Sequence, residues 1–187
     1  MAGVPVNLRQ RRRLVCSGAG DVIRIPKVKP LGKQVQIVLF EPEIPPNTGN
    51  IARLSAAFGL PLHLIGPLGF SLEDRYLRRA GLDYWPHVRL RVWSSFAEYF
   101  EQGRAGHRLV MTSSRGGAPL QRFAFTREDA LVFGPETRGL PAEVLDKADA
   151  AVRIAIHESV RSINLSSAAA IVTYQALAAT GLLDLIP

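Results

Sequence analysis

Leu131-Val132-Phe133-Gly134-Pro135-Glu136-Thr137-Arg138-Gly139-Leu140-Pro141 is the stretch on which the fold turns. Three apolar residues close a buried strand. Gly134-Pro135 then breaks it, because glycine opens unusual backbone angles and proline carries no amide hydrogen. Glu136 and Arg138 supply a carboxylate and a guanidinium, Gly139 allows a second turn, and a helix is expected over 140–147. A strand that opens into a polar, glycine-bounded loop is how α/β proteins build a ligand site at the carboxyl ends of their strands. Taken alone, the stretch reads equally well as an ordinary βα connection with a surface salt bridge.

Outward from it, the chain alternates. Val35-Gln36-Ile37-Val38-Leu39-Phe40 is nearly all apolar, as a strand covered on both faces must be. Further strands are expected at 62–65, 88–92, 109–112, 130–133 and 151–156. Helices are expected at 51–58, 72–80, 96–101 and 165–180, with 41–46 a proline-rich loop. Such alternation predicts an α/β fold, a mostly parallel sheet with helices on both faces.

The chain has 187 residues, enough for one domain with one core. No apolar run is long enough to cross a bilayer. Cys16 is the single cysteine, which excludes an internal disulfide and fits a reducing compartment. His63, His87, His107 and His157 lack metal-ligand spacing, so no metal is expected. Neither G-x-G-x-x-G after the first strand nor a Walker motif occurs.

The net charge of +7 is unevenly placed. Residues 1–33 carry eight Lys/Arg against one Asp, and the remaining chain is formally neutral. The chain therefore divides into a basic extension, 1–33, expected to be disordered, and one domain, 34–187. Three readings of the extension compete: a basic arm against RNA phosphates, a solvated segment without a role, or a targeting segment.

Two other loops share the character of the first. In Asn47-Thr48-Gly49-Asn50-Ile51-Ala52-Arg53, Asn47 or Asn50 is expected to cap a helix whose free amides welcome phosphate. Arg53 then falls within about one turn of that end, opposing the dipole unless an anion meets it. In Ile154 to Ala168, Ser162 and Asn164 precede a helix rich in small residues, suited to close helix packing or a subunit contact. Arg75, Arg78 and Arg79 share one helix face, either solvated or a patch for nucleic-acid phosphates.

These three loops, Asn47 to Arg53, Phe133 to Leu140 and Ser162 to Ser166, resemble the ordered motifs of the SPOUT RNA methyltransferases. Glu41 to Asn50 and Leu77 to Tyr84 further resemble the branch that methylates the wobble ribose of tRNA, and the likeness covers about Val35 to Gly181. It implies a carboxyl-terminal trefoil knot, S-adenosyl-L-methionine as cofactor, the tRNA anticodon loop as partner, a homodimer and a cytoplasmic enzyme. It implies cofactor contacts at Thr112, Gly134, Ile154 and Ser162, with apolar contact from Leu140 and Leu165. Catalytic roles fall on Arg53, Glu136 and Asn164, and RNA contacts on Asn47, Arg53, Arg138 and the Arg75, Arg78, Arg79 face. Tyr174 is expected at the dimer contact. A guanidinium holds its proton far above neutral pH, so Arg53 is read as gripping the phosphate beside the target rather than as a base. Two alternatives stay open: a methyltransferase of another tRNA or rRNA site, and an RNA-binding member without catalysis.

Overall fold

A computed structural model describes residues 34–72, 84–114 and 116–186. The basic extension and the segment carrying Arg75, Arg78 and Arg79 lie outside the described residues.

Seven strands form one sheet: β1 (Gln36–Phe40), β2 (Pro61–Ile65), β3 (Arg89–Trp93), β4 (Arg108–Thr112), β5 (Ala118–Pro119), β6 (Asp129–Phe133) and β7 (Ala150–Arg153). Their order is β3-β2-β1-β6-β4-β7-β5, and every pairing is parallel. β1 and β6 sit at the centre in the register Ile37 opposite Leu131 and Leu39 opposite Phe133. Alternate residues of β1 serve opposite faces, as the two-residue period requires. Val35, Ile37 and Leu39 enter one core with Leu64, Leu131 and Phe133, under α1 (Pro45–Phe58) and the last long helix (Leu165–Ala179). Val38 and Phe40 enter the other with Met111 and Val132, beneath the turns around α2 (Phe96–Glu98) and α3 (Ala142–Leu145). The last long helix is α4.

Several boundaries differ from expectation for physical reasons. α1 starts at Pro45, six residues before the expected Ile51, because Pro45 and Pro46 occupy its first positions. There a missing N–H costs nothing and the fixed φ of proline suits a helix. The expected helix 96–101 is one α turn followed by a π turn, Tyr99–Gly103. Gly103 is needed there, since a Cβ would come within 2.6 Å of the Trp93 and Tyr99 rings. The expected helix 140–147 shrinks to Ala142–Leu145, and the strand expected to reach Ile156 ends at Arg153. β5 was not foreseen; two residues are too few to show a period.

Candidate active site

Because all strands run parallel, their carboxyl ends share one edge of the sheet, where open α/β sheets bind ligands. The connections after β1, β4, β6 and β7 leave from that edge. Three of them are the polar loops singled out in the sequence.

Glu136 joins the first two. Its Oε2 accepts from the Glu43 backbone N–H at 2.9 Å. Its Oε1 accepts from the Ile44 N–H at 3.2 Å and from Asn47 Nδ2 at 3.0 Å. Asn47 passes the connection on, its Oδ1 accepting from Asn164 Nδ2 at 2.9 Å. Asn164 Oδ1 in turn accepts from the Ser166 N–H at 2.8 Å and the Ser166 hydroxyl at 2.7 Å. The third loop is thereby tied to the first through two asparagines. A second strap runs beside this chain. Thr137 donates its N–H (3.1 Å) and hydroxyl (2.9 Å) to the Glu43 carboxylate, and Arg138 donates to the carboxylate of Glu41.

These contacts correct the expected capping. Asn47 and Asn50 lie inside α1, whose N-cap is Ile44 with no side-chain cap of its own. The carboxylate at the positive end of this helix comes from Glu136, 89 residues from Asn47 in sequence. A negative charge at a helix N-terminus complements the macrodipole. Asn164, by contrast, does cap α4, accepting from Ser166 and Ser167. Asn47 is buried with both polar atoms used inside the protein, which places it in the loop-joining chain rather than against RNA.

Arg53 is the ninth residue of α1, not a first-turn residue, so the expected opposition to the dipole falls away. It shares an exposed face with Pro46, Asn50 and Ala57 and stands about 9 Å along the axis from Asn47. Its guanidinium carbon lies 4.3 Å from the centroid of the Tyr84 ring.

The expected cofactor residues gather at the same edge. Thr112 ends β4 and its hydroxyl donates to the Val132 carbonyl at 3.0 Å. Gly134 follows β6, and a Cβ there would come within 2.6 Å of the Leu140 nitrogen and 2.7 Å of the Gly139 carbonyl carbon. The 134–140 loop therefore closes on itself, and only glycine fits at its start. Leu140 packs half-buried on the Phe40 side of the sheet, whereas Ile154 and buried Leu165 pack on the other. Ser162 is exposed in the loop before α4.

Tyr174 stands apart from this cluster. It is 56% exposed on α4, its ring 6.4 Å from that of Phe58 on α1. With Leu54, Phe58 and Ile171 it lines an apolar groove of about 480 Å³ between the two helices. Among the residues with a place here that carried no role in the sequence reading are Glu43 and Tyr84. The acidic pair Glu41 and Glu43 flanking a proline just past a strand was the available signal for the first. Among the described residues, no His/Cys/Asp/Glu group suits a metal ion, and no helix is long and apolar enough to cross a membrane.

Comparison with known proteins gives a consistent picture. Residues 34–174 match the SpoU rRNA Methylase family. A tRNA (cytidine(34)-2′-O)-methyltransferase of Methylovorus glucosotrophus is 48% identical over 142 residues, 75% of this chain and 92% of the relative. One of the same name from Saccharophagus degradans is 49% identical over 145 residues, with 75% and 92% covered. A solved structure concerned with the 2-OH methylation of C/U34 on tRNA superposes with a TM-score of 0.75 at 48% identity, covering 79% of this chain and 96% of its own. The SpoU methyltransferase AviRb of Streptomyces viridochromogenes, solved with the cofactor AdoMet, gives 0.73 at 26% identity, covering 84% and 64%.

Proposed function

The chain belongs to the SpoU rRNA methylase family, and from that premise we propose that it methylates the wobble ribose of tRNA. The methyl group of S-adenosylmethionine goes to the 2′-hydroxyl of nucleotide 34, as the names of its near-full-length relatives describe for those proteins. The structural observation that carries the reading is the Glu136–Asn47–Asn164 chain, which draws the three loops to one edge of the sheet.

The residues at that edge fit the cofactor. The 134–140 loop is closed tightly around the space that a Gly134 Cβ would fill, and Leu140 and Ile154 offer apolar surface beside strand-end backbone and the Thr112 hydroxyl. Gly134, Thr112, Ile154 and Ser162 would hold the adenosine, and Leu140 and Leu165 would border it. When bound, S-adenosylmethionine supplies an electrophilic methyl group on a sulfonium sulfur. The demand on the protein is then alignment of the ribose oxygen and removal of its proton.

Glu136 and Asn164 meet the first demand. Both are spent on bonds within the protein, so they fix loop shape rather than move a proton. Arg53 grips the phosphate beside the target ribose, and the hydroxyl proton leaves to that phosphate or to water. Arg138, exposed beyond its contact with Glu41, joins Arg75, Arg78 and Arg79 against the tRNA backbone.

Two copies complete the site in this reading. The α1–α4 groove, with Ile171 and Tyr174 exposed along it, takes a second copy, and Arg53, on the outer face of α1, acts across that contact. The carboxyl-terminal part is knotted. In support, β7 lies between β4 and β5, although those two are joined by only residues 113–117. A tRNA substrate fits a cytoplasmic enzyme, and the proposal takes it as one.

The test is tritium transfer from labelled S-adenosylmethionine to unfractionated tRNA. Wild type labels the tRNA. Arg53→Ala keeps its cofactor affinity and loses at least about a hundredfold in turnover, the usual cost of a group that acts on the reacting centre. Unchanged turnover in Arg53→Ala removes that role, and an unlabelled tRNA pool with wild type removes the proposal.

A further inference from the structure

Arg53 is held differently from the other described cations that lie over rings through an arginine. Arg104 and Arg108 stand over Phe100 and Phe123, but each is also clasped by a carboxylate, Asp149 at 2.6 Å and Asp129 at 2.7 Å. Arg138 is bound by Glu41. Among the described residues no carboxylate pairs with Arg53, and its recorded contact is the Tyr84 ring.

The difference matters chemically. The five N–H donors of a guanidinium lie in its plane, and its two faces donate nothing. A carboxylate holds an arginine by those donors, the same ones that an RNA phosphate or ribose oxygen needs. An aromatic ring attracts the cation through its quadrupole and consumes no donor. It also restrains a long side chain that otherwise has rotamer freedom to lose on engagement.

Tyr84 is itself anchored. It precedes the 3-10 turn Trp85–His87, where its carbonyl accepts from the His87 N–H at 2.8 Å. Trp85 packs against the core that α1 covers, and the turn lies against α1. The Tyr84 residue remains 38% exposed, so the Arg53–Tyr84 pair is open to a large ligand.

We infer that Tyr84 is the positioning residue for Arg53, its ring fixing the guanidinium over the surface while leaving the N–H donors free for the RNA. This rests on the proposed role of Arg53 in methyl transfer. The phenol hydroxyl has no part in it, so the ring alone suffices.

The experiment compares full-length wild type with Tyr84→Phe, Tyr84→Trp and Tyr84→Leu, using tRNA and S-adenosylmethionine. The expected result is a fall in kcat of about fivefold in Tyr84→Leu, with KM for tRNA and cofactor affinity unchanged. Tyr84→Phe and Tyr84→Trp retain wild-type kcat. A raised KM with kcat kept would mean that the ring stacks on a tRNA base instead, and overturns the inference, as does wild-type kcat in Tyr84→Leu. An independent readout needs no turnover: the Arg53 δ-methylene protons of wild type show an upfield ring-current shift by NMR that Tyr84→Phe keeps. Absence of that shift in wild type overturns the inference even if Tyr84→Leu fails to fold. If wild type shows the shift but methylates no tRNA, the proposed function fails and the Arg53–Tyr84 pairing stands.

Discussion

Replacing Glu136 with alanine removes the acceptor on which the loop-joining chain depends. Three donors lose their partner: the N–H groups of Glu43 and Ile44 and the buried side chain of Asn47. Hydrogen bonds to a charged group contribute about 1.5–3 kcal/mol each when intact. The Ile44 bond is exposed, so water replaces much of it, whereas Asn47 is 5% exposed and has no such recourse. The lost charge at the start of α1 adds roughly 0.3–1 kcal/mol. Allowing for solvent replacement and non-additivity, the expected loss is about 3 kcal/mol. For a domain of this size that corresponds to a fall in Tm of about 6–12 °C. Glu136→Gln keeps one oxygen acceptor but sets an amide against the Glu43 N–H, so about half that loss is expected. Thermal and urea denaturation measure the stability, and calorimetry measures S-adenosylmethionine affinity, which falls with it. A Glu136→Ala protein that melts within about 1 °C of wild type and binds the cofactor equally would refute the reasoning, since 1 kcal/mol alone shifts Tm by more.

Gly134→Ala forces a Cβ to within 2.6 Å of the Leu140 nitrogen, so the 134–140 loop must open. Such overpacking costs about 1–3 kcal/mol, and a roughly tenfold loss of cofactor affinity by calorimetry is expected with the sheet intact. His63 is held neutral in the fold, its pKa lowered to about 3 by burial first and then by Arg91, His107 and Arg89. Its Nδ1 also accepts from the Trp93 indole N–H at 2.9 Å, which a proton there would oppose. Because the folded value lies below the unfolded one, the protein keeps full stability from this group above about pH 6.5 and loses it as pH falls toward 3. Urea denaturation at pH 7 and pH 4 should differ by about 3 kcal/mol more in wild type than in His63→Gln. Ile171→Asp places a charge on the exposed apolar groove where the proposed second copy docks; light scattering should then report a monomer, with a lower Tm that no longer rises with protein concentration.

The strands were legible because their burial is legible. β1 and β6 are covered on both faces, so nearly every residue is apolar and the run announces itself. The start of α1 was not, since Pro45-Pro46 signals a loop as readily as a first helical turn. The π turn after α2 answers to tertiary packing of Trp93 against Gly103, which no local period encodes. At the site, the residue types and the three loops were visible, and the role of Asn164 as a cap was open to the same reasoning. The bonds that unite them were not. Glu136 meets Asn47 across 89 residues and Asn164 meets Asn47 across 117, and only the parallel topology brings those strand ends to one edge.

The most direct test of the wobble-ribose reading is where the transferred methyl resides. Alkali cleaves RNA through the free 2′-oxygen, so a methylated ribose leaves its phosphodiester bond uncut. After transfer from tritiated S-adenosylmethionine and alkaline hydrolysis, the label should appear in one alkali-resistant dinucleotide beginning with nucleotide 34. Label released in mononucleotides, or found in a dinucleotide from elsewhere in the tRNA, would contradict the account.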